Sequence, residues 1–181
     1  MDEYKIIKKL GAGNFGTTYL IENDKNEKYA MKIEHILPPS SKSKEKDFTL
    51  GYWREIDLFE YINKMQYKNK KFFSQLYQYE IVDNCEHKQV RAWPFHPDSE
   101  QAKKAVILDA SSWCVKYLMD YKGEINLKQY IEKHKLTKKK IYSILLQICK
   151  IIMLLYKGGY MHRDLHGNNI MVNSTKEKTF T

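Results

Sequence analysis

Asp164 and Asn169 lie five residues apart in His162-Arg163-Asp164-Leu165-His166-Gly167-Asn168-Asn169, pairing a carboxylate with an amide in one polar stretch. A carboxylate so placed can accept a hydrogen bond from an attacking hydroxyl, and an amide oxygen can help to hold a divalent cation. Far upstream, Gly11, Gly13 and Gly16 punctuate Leu10-Gly11-Ala12-Gly13-Asn14-Phe15-Gly16-Thr17-Thr18. Missing side chains there let backbone amides come close to phosphate oxygens. Lys32, in Tyr29-Ala30-Met31-Lys32-Ile33-Glu34, offers a cation, and Glu55 a carboxylate. All but Glu55 also have a plain reading, as a polar loop, an ordinary glycine-rich hairpin and a surface lysine.

The elements that must position these groups narrow the choice. Residues 4–34 read as three short strands, with Thr17 to Glu22 β-branched and aromatic after the glycines. A dinucleotide-binding glycine motif opens a helix instead, so strand–glycine loop–strand is the expected arrangement. Phe15 at its tip would cap the loop. Alternation puts Ala30, Lys32 and Glu34 on one face of the third strand, opposite Tyr29, Met31 and Ile33. After a proline- and serine-bearing linker over 35–47, the pattern turns helical from about Phe48, with Tyr52, Ile56, Phe59 and Ile62 on one stripe. Glu55 falls inside that stripe, where a carboxylate is costly unless paired with a cation. Glu60 competes for the role but lies nearer the polar side.

Phe72 to Val82 is strand-like, and Trp113 to Asp120 reads as a buried strand followed by Tyr121-Lys122-Gly123. Residues 126–134 predict a short helix. Thr137 predicts the cap of a long one, with Ile141, Ile144, Leu145, Ile148, Ile152 and Leu155 on one stripe and a stop at Gly158-Gly159. Ile170 to Val172 then reads as a short strand. Cys85, His87 and His96 do not supply the paired short spacings of a zinc site.

Bulk properties exclude several classes. Of 31 basic residues only Arg54, Arg91 and Arg163 are arginine, so the net charge of +9 is carried by lysine, a hydrated point charge without a bidentate fork. That fits a solvated surface better than a nucleic-acid site, while an acidic partner stays open. The three cysteines, Cys85, Cys114 and Cys149, are odd in number and widely spaced, which predicts reduced thiols and a reducing compartment. The N-terminal residues lack an apolar signal run, and Ile141 to Tyr156 is too short and too interrupted to span a bilayer. The expectation is a soluble, intracellular protein without a membrane role.

Together, GAGNFG, AMK, REI and HRDLHGNN resemble, in order and rough spacing, the motifs of protein kinases. The resemblance implies an α+β fold: an N-lobe with an antiparallel β-sheet and a helix of the αC type over 1–119, carrying an insertion at about 83–112. A hinge at 120–123 and the first part of a helical C-lobe over 124–181 would follow. It implies ATP and Mg2+ as ligands and a serine- or threonine-bearing protein as substrate. Asp164 would be the base, His166 would approach the transferred phosphate, Lys32 and Glu55 would form the phosphate clamp, and Asn169 would hold metal. Leu10, Gly11, Ala12, Gly13, Asn14, Phe15, Gly16, Thr17, Thr18, Ala30 and Lys32 would line the nucleotide, with Thr18 where the family usually has valine. Met119 would be the gatekeeper, and Asp120 and Lys122 the hinge contacts.

Within the family the loop is most similar to those of haspin and several kinases of large DNA viruses, in which a histidine replaces the usual lysine two residues after the catalytic aspartate. That likeness extends the expected location to host cytoplasm or virion, and a histidine that titrates near neutrality predicts pH-sensitive transfer. The residues after Asn173 contain no Asp-Phe-Gly, no activation loop and no further helical pattern. The resemblance then implies a partial catalytic domain, with the long helix exposed or covered by a partner chain. Two other functions stay open: a small-molecule phosphotransferase of the same fold, whose loops often read H-x-D-x-H, and a non-catalytic nucleotide-binding module.

Overall fold

Residues rich in β-branched and aromatic side chains between glycine and asparagine turns build a five-stranded antiparallel sheet in the computed structural model, which describes residues 4–13, 16–37, 46–85, 111–123 and 125–173. The strands are β1 (Lys5–Gly13), β2 (Gly16–Glu22), β3 (Lys28–His35), β4 (Leu76–Val82) and β5 (Cys114–Asp120), in the order β1-β2-β3-β5-β4. The segment after the glycines is therefore a strand, with Thr17 to Glu22 paired residue for residue against Ile33 to Lys28. Among the helices, α1 (Gly51–Lys64) and α2 (Tyr67–Lys70) precede β4, while α3 (Leu127–Lys133) and α4 (Lys138–Lys157) follow β5. The chain divides into two compact units, one of residues 1–64 and 74–121, the other of residues 65–73 and 122–181.

In the first unit the two faces of β3 feed two separate cores. Ala30 joins Tyr52, Ile56, Leu76, Val115, Tyr117 and Met119 beneath α1, and Met31 and Ile33 join Ile21, Cys114 and Leu118 on the other side. The helical stripe is buried as its periodicity requires, with Tyr52, Ile56 and Ile62 inside and Phe59 packed at the margin. The helix begins at Gly51 rather than near Phe48 because Asp47 closes a turn first. Its carboxylate accepts from the Thr49 amide and hydroxyl, and the Leu50 amide donates to its carbonyl.

Gly16, which opens β2, has φ +126°, and an added Cβ would run into the carbonyl oxygen of Ile33. Both the conformation and the space demand glycine. Gly16→Ala is expected to cost at least about 2 kcal/mol, read as a lower melting temperature; an unchanged melt would show that the β2–β3 start relaxes freely.

Cys85 and Cys114 form a disulfide, contrary to the expectation of reduced thiols. They are 29 residues apart in sequence, but β4 and β5 are antiparallel neighbours with Val82 opposite Cys114, so the strand ends bring the sulfurs together. The Cys85 amide also donates to the Ser112 carbonyl, closing the base of the long β4–β5 connection. Cys85 is thereby unavailable as a zinc ligand, and His87 and His96 lie outside the described residues, as do Asn14, Phe15 and most of the 83–112 segment. Among the described residues no cluster of metal-ligating side chains occurs, and no helix is long and apolar enough to cross a membrane.

In the second unit α3 starts in a capping box, where Asn126 Oδ1 accepts from the Gln129 amide and Gln129 Oε1 accepts from the Asn126 amide. Thr137 Oγ1 accepts from the Lys140 amide at the head of α4, and the helix stops at Gly158 with Gly159 at φ +80°. Of the α4 stripe only Leu155 is buried; Ile141, Leu145 and Ile152 are exposed. Instead of a strand at 170–172, the chain makes a single bridge, Asn126 to Met171, because its partner is the short lead-in to α3.

Candidate active site

Lys32 sits at mid-strand in β3, opposite Thr18 on one side and Tyr117 on the other. Its ammonium donates to both oxygens of Glu55, at 2.8 and 2.6 Å. Glu55 points inward because Tyr52, three residues before it on the same face of α1, is buried, and Ile56 beside it is fully buried as well. The competing acid, Glu60, is committed elsewhere, to Lys46 at 2.6 Å. The ammonium also lies 5.2 Å from the centre of the Tyr117 ring. Burial alone would depress the lysine's pKa, but the charges of Glu55 and Glu34 outweigh it and raise it, so Lys32 is a fixed cation.

Around this pair the first unit gathers most of the other residues singled out in the sequence. Ala30 and Met119 are directly opposed across β3 and β5, both buried, and Leu10 packs against the same cluster. At Gly11 and Gly13 the position of a Cβ meets open space, so a ligand could approach that backbone closely. Thr17 is buried and forms part of the wall of the fold, and Thr18 is half-buried. Asp120 is tied to Gln75, donating through its amide and accepting on Oδ1. Lys122 belongs to the second unit.

The loop of the second unit is built on a tight reversal. The Asp164 amide donates to the His162 carbonyl at 2.7 Å around Arg163, whose φ is +57°. Such a left-handed conformation in a non-glycine residue is strain that the surroundings must hold. The loop is anchored to the lead-in and first turn of α3: the Leu127 amide donates to Ile170 O and the Val172 amide to Ile125 O. Gly167 lies so close to Lys128 that a Cβ there would press on its backbone.

Within this frame Asn169 Nδ2 donates to Asp164 Oδ2 at 2.8 Å and to the Asp164 carbonyl at 3.0 Å. That fixes the aspartate and commits the Asn169 amide nitrogen, leaving Oδ1 as its acceptor atom. His166 Nδ1 faces the Asn168 amide at 3.3 Å, and Nε2 lies 3.5 Å from Asp164 Oδ1 and 3.1 Å from Asn169 Nδ2. Asp164, His166 and Asn169 are therefore one cluster, exposed to solvent.

Two features were missed by the sequence reading. Alternation had put Glu34 on the Lys32 face, but without the position of α1 nothing joined it to the ion pair. Tyr117 was read only as part of a buried strand, although its register against Lys32 is what puts its ring at the ammonium.

A model of the protein kinase domain matches residues 4–179. The chain is similar to a putative mitogen-activated protein kinase 14C of Drosophila melanogaster, at 25% identity over 176 residues covering 97% of this chain and 40% of that protein. It is also similar to the probable serine/threonine-protein kinase zyg-1 of Caenorhabditis elegans, at 20% identity over 186 residues, spanning all of this chain but 20% of the relative. The chain thus spans less than half the length of either. With its antiparallel sheet, its helices and this match over nearly every residue, the chain belongs to the protein kinase domain family.

Proposed function

We propose that this chain transfers the γ-phosphate of ATP to serine or threonine hydroxyls of proteins. The observation that carries the reading is the Lys32–Glu55 ion pair, a fixed cation beneath a hairpin whose Gly11 and Gly13 leave the backbone open. An ammonium held this way can grip the α- and β-phosphates without searching for its position. The apolar group of Leu10, Ala30 and Met119 suits a flat nucleobase.

In the second unit Asp164 accepts the proton of the substrate hydroxyl as its oxygen bonds to the γ-phosphorus and the bridging bond to ADP breaks. Asn169 would hold Mg2+, which neutralises charge on the phosphates when bound. Its Nδ2 is occupied by Asp164, so the amide oxygen is the group that fits a hard cation. His166 stands where most serine/threonine enzymes of the family have lysine, the feature that likens this loop to haspin and to kinases of large DNA viruses. Its ring N–H supplies a donor for the transferring phosphoryl group.

The closeness of His166 Nε2 to Asp164 also suits a small-molecule phosphotransferase. A panel of serine, threonine and tyrosine peptides alongside aminoglycosides and amino alcohols, incubated with magnesium and labelled ATP, separates the two. Label on serine or threonine peptides is expected. Label on the small molecules alone would overturn the protein-kinase reading, and nucleotide binding without transfer to any acceptor would reduce the chain to a binding module.

A further inference from the structure

Lys32 stands between two carboxylates. Glu34, two residues along β3 on the same face, places Oε2 3.2 Å from the ammonium, with both side chains 16% exposed. That oxygen is buried, and the ammonium contact is not aligned as a hydrogen bond. Glu34 and Glu55 thus bring two carboxyls to one ammonium, Glu55 at 2.6 Å and Glu34 at 3.2 Å. Two carboxylates sharing one cation in a largely buried place cannot both ionise cheaply, which favours a proton on Glu34, the one not aligned with the ammonium. Among the described residues the other titratable groups acting on Glu34 supply no second positive charge: α1 contributes Glu55 and β5 contributes Tyr117. The Tyr117 phenol is kept neutral, driven far up by burial and by the charges of Glu55 and Glu34.

The balance of charge has a consequence for any anion that approaches. With Glu34 neutral, the ammonium and the Glu55 carboxylate cancel. With Glu34 ionised, the group carries a net negative charge at the spot where the phosphates of a nucleotide would lie. We propose that Glu34 is a charge gate on the clamp: its carboxyl keeps a proton while a nucleotide polyphosphate is bound, and losing that proton weakens the hold of Lys32 on the phosphates. This rests on the reading of Lys32 as the phosphate-gripping group, and it makes Glu34 a positioning residue that acts through Lys32.

The electrostatics favour the protonated form. Burial pushes the Glu34 carboxyl up, Lys32 pulls it down and Glu55 pushes it up again, with a net rise. A carboxyl whose pKa is raised by folding is neutral below the raised value and ionised above it. Nucleotide affinity should therefore fall as pH rises through the Glu34 titration, by up to about tenfold for each pH unit. Glu34→Gln is neutral at every pH and should give a flat profile.

The test has two readouts on the 181-residue chain. In the first, carbon-labelled glutamate side chains are followed by NMR across pH without ligand, the Glu34 signal being assigned from its loss in Glu34→Gln or, if that variant does not fold, Glu34→Asp. A Glu34 carboxyl that titrates at or below the ordinary glutamate range overturns the proposal, whether or not nucleotide binds. In the second, magnesium-ADP affinity is measured by calorimetry over the same range. Affinity that falls with pH in the parent and stays flat in Glu34→Gln supports the gate, and parallel profiles overturn it while leaving Lys32 as a nucleotide-binding group. Absence of binding by both proteins at every pH overturns the nucleotide reading itself, and the gate with it.

Discussion

Asp164→Asn is expected to slow phosphate transfer by at least about a thousandfold while leaving nucleotide affinity within about twofold of the parent. The two effects separate because of how the loop is built. Its shape depends on backbone: the Asp164 amide to His162 O, and the loop's ties to residues 125 and 127 at the start of α3. None of these uses the Asp164 carboxylate. An asparagine oxygen can still accept from Asn169 Nδ2, so the cluster keeps its geometry, but an amide cannot take a proton from the attacking hydroxyl. The loss should therefore appear in kcat and not in KM for ATP. Steady-state rates with magnesium-ATP and a serine peptide, set beside an ADP titration, make the comparison. Transfer at the parental rate would remove Asp164 from the chemistry. Loss of nucleotide binding along with transfer would mean that the substitution had disturbed the fold instead.

Much of this arrangement could be read from the chain because it depends on short-range rules. The β-branched run after Gly16 cannot be a helix start, Glu55 inside an apolar stripe needs a cation, and Thr137 with Gly158-Gly159 marks both ends of α4. What could not be read depends on elements that meet only in three dimensions. The Cys85–Cys114 disulfide follows from the pairing of β4 with β5, and the distance between the cysteines in sequence conceals it. The left-handed Arg163 has no signal in residue type, since arginine gives no advantage at positive φ. The exposure of Ile141, Leu145 and Ile152 on α4 runs against their periodicity, because a stripe states which face is apolar and not whether anything covers it. Glu34 is the instructive case: its face was legible, but its role needed α1 to bring Glu55 up to the same ammonium.

That shared ammonium makes Lys32→Met the most informative single change in the first unit. Methionine keeps most of the length and the apolar stem, so Ala30 and the Tyr117 ring lose little packing. What disappears is the charge. Nucleotide affinity should drop roughly a hundredfold, the order expected for losing charge-assisted hydrogen bonds to phosphate. Stability should fall as well, since removing one partner of a buried pair leaves the other uncompensated, at about 3–5 kcal/mol for a fully buried case. Here the cost should be nearer about 1–2 kcal/mol, because the Glu55 side chain is 29% exposed and can turn toward water. The pH dependence carries the sign. Without Lys32, Glu34 loses the one influence that lowers its pKa, leaving burial and Glu55 to raise it further. The folded variant then holds its proton to higher pH than the unfolded chain does. Stability relative to the parent should thus be lost progressively as pH rises above the ordinary carboxyl range, and regained toward acid. Adding Glu34→Gln to Lys32→Met removes the group that titrates, so the double variant should recover stability at neutral pH without recovering nucleotide affinity. Thermal melts of parent, single and double variants at acid and neutral pH read this out. A Lys32→Met protein that melts and binds nucleotide like its parent would mean that the ammonium neither holds the two carboxyls nor grips phosphate.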